Sequence, residues 1–136
     1  MKRDKKGISM SNNAVLLVAR ILLAIIFIMA GLQKLGGIEG TAGYIASVGL
    51  PASTALAWLA AIFETLAGIA ILIGFKTRIT SYLLAAFCAF TALVFHFNPA
   101  DQVQMIMLMK NLAIAGGFLA LSVAGAGSMS VDGRRG

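Results

Sequence analysis

The chain of 136 residues is 60% hydrophobic and only 12% charged, with a net charge of +6. Soluble domains are roughly 45–50% apolar and about 25% charged, and a soluble fold this small would leave much of this apolar surface in water. The composition therefore indicates an integral membrane protein in contact with a lipid bilayer. A nucleic-acid-binding role is excluded, because the basic residues cluster beside apolar stretches as topology signals.

Four apolar stretches are long enough to cross a bilayer, which takes about 20 helical residues. The predicted spans are residues 14–35, 52–75, 79–97 and 103–124. Residues 1–13 are predicted as a basic N-terminal tail and residues 125–136 as a C-terminal tail. The connection before Pro51 contains TAGYIASVGLP, which predicts a short amphipathic helix at the membrane surface. The fold class is therefore all-α, a transmembrane four-helix bundle.

The basic residues also predict the orientation of the bundle, because Lys and Arg beside spans favour the cytoplasmic side. Eight of them precede the first span, lie between the second and third, or follow the fourth, whereas the opposite side has only Lys34. These eight are Lys2, Arg3, Lys5, Lys6, Lys76, Arg78, Arg134 and Arg135. Both termini, with their tails, are therefore predicted to be cytoplasmic.

Each predicted span has a face that combines small residues with an ionisable side chain, at the spacing of three and four that marks one side of a helix. These faces are Arg20, Ala24, Phe27, Gly31 and Lys34; Ala57, Ala60, Glu64, Gly68 and Ile71; Ala85, Ala89, Ala92 and His96; and Lys110, Ala113, Gly117, Ala120 and Ala124. Helices in lipid pack through small residues and hydrogen bonds. The four faces are therefore predicted to meet in a polar seam inside the bundle.

Glu64 is the central residue of this seam. It lies near mid-depth of the second span, where a charge costs several kcal/mol unless it is paired or hydrated. Its partner stays open between Lys110 and Arg20, whose long side chains reach along the bundle, and a water-bridged network of all three. Arg20 is also close enough to the inner end to snorkel to water. A purely architectural role, fixing the register of the helices, is the competing interpretation.

Three further polar residues complete the candidate site. Lys34 and His96 lie near the outer interface, where water is expected to solvate them, and Asn111 suits an interhelical hydrogen bond. The candidate binding residues are Glu64, Lys110, Arg20, Lys34, Asn111 and His96. No catalytic residue and no metal-ligand set is identified. The single cysteine, Cys88, forms no internal disulfide or CxxC pair and is expected to be a small apolar side chain in a helix.

Three segments of the chain, ARILLAIIFIMAGLQKLGG, ETLAGIAILIGFKTR and MLMKNLAIAGGFLAL, resemble the DoxX family of small membrane proteins. The resemblance runs from Val15 to Leu121 and includes the GxxK pattern ending at Lys34. It implies a four-helix bundle in the inner membrane of a prokaryote and an association with redox chemistry. The family takes its name from a membrane subunit of an archaeal thiosulfate:quinone oxidoreductase.

This resemblance leads to a functional hypothesis, an accessory or quinone-associated subunit of a membrane redox or oxidative-stress system. The chain has no flavin or nicotinamide fingerprint, so the cofactor would be quinone or belong to a soluble or membrane partner protein. Whether the chain is itself an enzyme stays open. One alternative is a scaffold that recruits a partner through the loop at Lys76 and Arg78. Another is transport of a small solute or proton along the seam, for which a homo-oligomer could complete the path.

Overall fold

The computed structural model describes residues 11–135, so most of the predicted N-terminal tail lies outside the described residues. These residues form six helices and no strand: α1 (Asn12–Leu35), α2 (Ile38–Ser47), α3 (Ser53–Ile73), α4 (Thr77–Phe95), α5 (Gln102–Ala124) and α6 (Val131–Arg135). Four of them, α1, α3, α4 and α5, are long and apolar enough to cross a membrane. The predicted all-α, four-span fold is confirmed, and α2 is the helix predicted before Pro51.

Local chemistry sets the helix ends. The Asp101 carboxylate accepts from the amide of Val103 at 3.0 Å and so caps the start of α5. Gly74 ends α3 with φ 72°, a left-handed conformation that glycine adopts without steric cost. The second span therefore stops at Ile73, two residues before its predicted end, and α4 begins at Thr77 rather than at residue 79.

The four long helices pack chiefly as two antiparallel pairs, α1 with α3 and α4 with α5. Two glycines bring the first pair together. A Cβ on Gly68 would lie 2.8 Å from Cγ1 of Ile28, and a Cβ on Gly31 would lie 2.7 Å from the backbone nitrogen of Thr65. Because glycine has no side chain, the backbones of α1 and α3 approach closely at these two positions, as helices in lipid do at small residues. Neither position therefore has room for a methyl group.

The bundle has two distinct ends. We call the end where α1 begins and α5 ends the terminal end, and the opposite end, which α2 covers, the loop end. The core between the helix pairs includes Phe27 and Phe118, whose rings meet edge to face with centroids 5.5 Å apart. Ile71 and Leu84 are fully buried beside them.

The predicted inward faces of α1 and α3 are largely confirmed, whereas that of α5 is wrong. Arg20, Ala24, Phe27 and Gly31 are the buried residues of α1. On α5 the buried residues are Leu108, Ala115, Phe118, Leu121 and Ser122. The predicted stripe of α5 is instead largely exposed. In lipid the outside of a helix is as apolar as its inside, so small residues and one lysine did not identify the packed face.

Residues 125–135, predicted as a tail, fold back against the terminal end. The amide of Asp132 donates to the carbonyl of Gly74 at 2.9 Å. The Asp132 carboxylate in turn accepts from the amides of Lys76 and Thr77, at 2.8 Å each, and so caps α4. Burial opposes ionisation of this carboxyl. The hydrogen bonds from the Thr77 and Lys76 amides and the charge of Arg135 outweigh that effect, so the pKa of Asp132 lies below its ordinary value.

Candidate ligand cavity and ion pair

A cavity of about 580 Å³ lies between the two helix pairs, toward the loop end. Its walls are mainly apolar and rich in aromatic rings, those of Phe27, Phe63, Phe87, Phe90 and Phe95. Helix α2 contributes Thr41, Tyr44 and Ile45 to the lining and so covers one side. An apolar hollow of this size with a few polar groups is typical of a small-molecule site. We call it the ligand cavity.

The most polar feature of this cavity is an ion pair between α1 and α3. Nζ of Lys34 lies 2.9 Å from Oε2 of Glu64. The Glu64 side chain is only 6% exposed, whereas the Lys34 side chain is 30% exposed. The close approach of Gly31 to Thr65 produces this pair, because Lys34 lies one turn after Gly31 and Glu64 directly precedes Thr65.

This ion pair corrects the expectation that water solvates Lys34. The sequence left the partner of Glu64 open between Lys110 and Arg20, and the structure supplies Lys34 instead. Lys34 lies near the loop end of α1, but its side chain turns inward along α3 to the carboxylate. The sequence did contain a signal for this partner, because Lys34 is the last residue of the predicted α1 face, one turn beyond Gly31.

Arg20 lies elsewhere, and its predicted place in a seam with Glu64 is wrong. Its side chain is fully buried near the terminal end and does not line the ligand cavity. Nη1 donates to the carbonyl of Leu72 at 3.0 Å, and Nη2 donates to that of Met129 at 2.6 Å. Snorkelling to water is likewise not observed, because the folded-back C-terminal segment covers the guanidinium and supplies one of its acceptors.

The remaining predicted residues border the ligand cavity. Nδ2 of Asn111 donates to Oγ1 of Thr91 at 3.1 Å, which is the interhelical hydrogen bond expected for it. The ring of His96 is half-buried, and its Nδ1 donates to Oε1 of Gln104 at 2.8 Å, which holds the ring in place. Lys110 is exposed on α5, with Nζ 3.4 Å from Sδ of Met107. The structure thus gathers Lys34, Glu64, His96, Lys110 and Asn111 around one cavity.

Sequence reasoning missed the contribution of α2. The ring of Tyr44 stacks on that of Phe95 with centroids 5.4 Å apart, and its hydroxyl donates to the Phe95 carbonyl at 3.4 Å. This contact ties α2 to the end of α4 across the cavity. Cys88 is a buried free thiol in the cavity wall. The amphipathic pattern of TAGYIASV was the available signal for α2, but it did not indicate which residue would face the bundle.

The arrangement can bind a ring between apolar walls and present a proton donor to it. An ammonium and a carboxylate in contact can hold or exchange a proton with a ligand oxygen placed beside them. Within residues 11–135, no group of three or more His, Cys, Asp or Glu side chains is placed to ligate a metal ion.

Comparison of the sequence with known proteins relates this chain to a family. The sequence model of the DoxX family matches residues 15–97. The chain is 46% identical over 116 residues to "Inner membrane protein YqjF" of Escherichia coli (strain K12), covering 85% of this chain and 88% of that protein. It is 39% identical over 124 residues to "Inner membrane protein YphA" of the same organism, covering 88% and 89%.

A third relative matches a shorter part of the chain. It is a Bacillus subtilis (strain 168) protein named "Putative oxidoreductase CatD", 38% identical over 69 residues, or 51% of this chain and 50% of that protein. No solved structure matches the chain.

Proposed function

Because this chain belongs to the DoxX family and, like its relatives, is an inner membrane protein, we propose that its ligand cavity binds a quinone ring. In this proposal the protein serves a membrane redox or oxidative-stress system as an accessory subunit. The observation that carries this proposal is the Lys34–Glu64 ion pair on the wall of an otherwise apolar, aromatic cavity. The name of the Bacillus subtilis relative supports the redox part by analogy.

The residues present fit a quinone. The cavity volume of about 580 Å³ falls within the roughly 300–1,000 Å³ typical of ligand pockets. The phenylalanine rings suit a flat apolar ring, and Lys34 offers an N–H donor to a ring oxygen. A bound quinone would supply two-electron redox chemistry, with electrons from a partner protein that carries its own redox cofactor.

The ion pair would control the proton at that oxygen. The pair holds the Lys34 ammonium at the cavity wall, 2.9 Å from the Glu64 carboxylate, so Lys34 can donate a hydrogen bond or a proton to a ligand oxygen beside it. After donating, Lys34 can regain a proton from the loop end, where its side chain is partly exposed. Asn111 donates one amide N–H to Thr91 and adds a polar side chain to the α5 wall of the ligand cavity.

We also propose that the terminal end faces the cytoplasm. Lys76, Arg78, Arg134 and Arg135 all lie at this end, whereas the Lys34 charge at the loop end is paired inside the bundle. In a Cys88→Ser background, a membrane-impermeant maleimide should label Glu39→Cys in spheroplasts and Arg135→Cys only after permeabilisation. The reverse pattern would overturn this orientation.

Quinone binding can be followed through the fluorescence of Trp58, the single tryptophan, which precedes the cavity residue Leu59 on α3. Purified protein in lipid nanodiscs would be titrated with decylubiquinone while tryptophan fluorescence is recorded. We expect saturable quenching in the native chain and at least about tenfold weaker binding in Lys34→Met and Glu64→Gln, which corresponds to the loss of one charge-assisted contact.

Arg134→Gln is the matched control, because it removes a charge at the terminal end, away from the ligand cavity. It should bind decylubiquinone as the native chain does. Quenching that rises linearly and equally in all variants reflects partition into lipid and would overturn the proposal. That outcome would favour a scaffold that recruits a partner protein. Circular dichroism would verify that each variant keeps its helices.

A further inference from the structure

A second hollow, of about 480 Å³, lies at the terminal end between the start of α4 and the end of α5. It shares no lining residue with the ligand cavity. Lys76 and Arg78 line one side, and the segment from Gly125 to Gly127 lines the other. We call this hollow the terminal groove.

Backbone conformation forms the groove. Gly125 and Gly127 have φ of 79° and 83°, so the chain turns sharply after α5, and only small side chains project there. A Cβ on Gly125 would lie 3.2 Å from Nη2 of Arg78. The guanidinium therefore lies against bare backbone. Nη1 of Arg78 donates to the carbonyls of Ser122 and Val123, at 2.9 Å each, which fixes its position.

The charge around the groove is predominantly positive. Lys76 and Arg78 are exposed cations of its lining, and Arg135 lies nearby, with its guanidinium 5.6 Å from the Phe75 ring centroid. Asp132 is the one acid in the lining. Its carboxylate is held by two amides of the α4 N-terminus, where its charge complements the helix dipole, and the two cations of the lining outnumber this one acid.

Apolar side chains flank these cations on the membrane side. Ile79 lines the groove and is 62% exposed, and Val123, one residue before the end of α5, is 75% exposed. Both belong to membrane-spanning helices. The groove therefore joins cations at the helix ends to aliphatic surface of the spanning helices, an arrangement that complements an anionic phospholipid, whose charged headgroup is joined to acyl chains.

We propose that the terminal groove binds the phosphate headgroup of an anionic phospholipid, with its acyl chains along Ile79 and Val123. Lys76 and Arg78 contact the phosphate, and Phe75 and its neighbouring cations form the outer rim. This site is independent of quinone binding, because it lies at the opposite end of the bundle from the Lys34–Glu64 pair.

Native mass spectrometry of the detergent-solubilised full chain, titrated with phosphatidylglycerol or phosphatidylcholine, tests this proposal. We expect phosphatidylglycerol to bind in preference. Lys76→Gln should weaken its binding about fivefold, because a basic residue near the membrane surface contributes about a factor of this size. Lys76→Arg should restore binding, since it keeps the charge.

Lys110→Gln is the matched control, because it removes one cation outside the groove. It should bind phosphatidylglycerol as the native chain does. Equal binding of the two lipids, or unchanged binding in Lys76→Gln, would overturn the proposal. Displacement of phosphatidylglycerol by excess inorganic phosphate would also overturn it, because the groove would then recognise a free anion without the lipid.

Discussion

Lys34, in the last turn of α1, forms an ion pair of 2.9 Å with Glu64 in the middle of α3. The pair borders an aromatic cavity, and the lysine remains partly exposed while the carboxylate does not. A buried carboxylate whose partner reaches toward the surface combines a fixed charge with a route for protons. This relationship is the structural basis of the proposed quinone site.

Removing one partner of this pair should lower the free energy of unfolding more than replacing both partners. Lys34→Met leaves an uncompensated carboxylate in the bundle and should lower the free energy of unfolding by about 2 kcal/mol, less than the 3–5 kcal/mol for fully buried pairs. Lys34→Met/Glu64→Gln should recover part of that loss. The free energy of unfolding in mixed micelles is measured for Lys34→Met, Glu64→Gln and the double variant. A double variant whose loss equals the sum of the two single losses would contradict the pairing.

Helix packing at Gly31 should tolerate no methyl group. Gly31→Ala places a Cβ against the backbone of Thr65, so α1 and α3 must separate, at a cost of about 1–3 kcal/mol. Gly116→Ala is the matched control, because no neighbouring atom lies within 4 Å of its Cβ position. Thermal unfolding in detergent should show a lower midpoint for Gly31→Ala alone. Equal midpoints in the two variants would contradict the close approach.

Arg20 should hold the C-terminal segment to the bundle. Arg20→Leu leaves the carbonyls of Leu72 and Met129 without their donor and should cost about 3 kcal/mol. Arg20→Lys should recover only part, since a lysine lacks the forked geometry that reaches both carbonyls. Hydrogen exchange should accelerate in residues 125–135 of Arg20→Leu. Unchanged exchange there would show that the guanidinium does not hold the segment.

The contribution of Asp132 should depend on pH in one direction. Its folded-state pKa lies below the unfolded value of about 3.9, so the ionised carboxylate stabilises the fold above that value and loses its effect as pH falls through the folded-state pKa. The melting temperature of Asp132→Asn should therefore lie below that of the native chain by a constant difference from neutral pH to about pH 4. This difference should become smaller in stronger acid. A gap that widens in acid would contradict this linkage.

The sequence predicted the fold well, because its dominant signals, span length and composition, are physical requirements of the bilayer. It also predicted the packed faces of α1 and α3, where glycines and ionisable residues coincide. On α5 the same pattern failed, since the buried face carries Phe118 and Leu121 while the predicted alanines Ala113, Ala120 and Ala124 are exposed. Nothing in lipid penalises that arrangement.

The partner of Glu64 and the position of Arg20 depended on details that periodicity does not contain. Lys34 reaches Glu64 because Gly31 draws α1 onto α3, a distance that spacing alone does not give. Arg20 binds backbone carbonyls, one of them from Met129 in a segment with no helical pattern of its own. Contacts made through backbone atoms leave little trace in side-chain chemistry, so the folded-back C-terminal segment was not predicted.

Photoaffinity labelling with an azidoquinone, followed by peptide mass spectrometry of the protein in native-lipid nanodiscs, tests the central claim most directly. We predict that the label attaches to residues of the ligand cavity, such as Phe63 and Phe87, that excess decylubiquinone prevents it, and that Glu64→Gln reduces it. Label confined to the lipid-facing surface, or unchanged by competitor and variant, would contradict the quinone site.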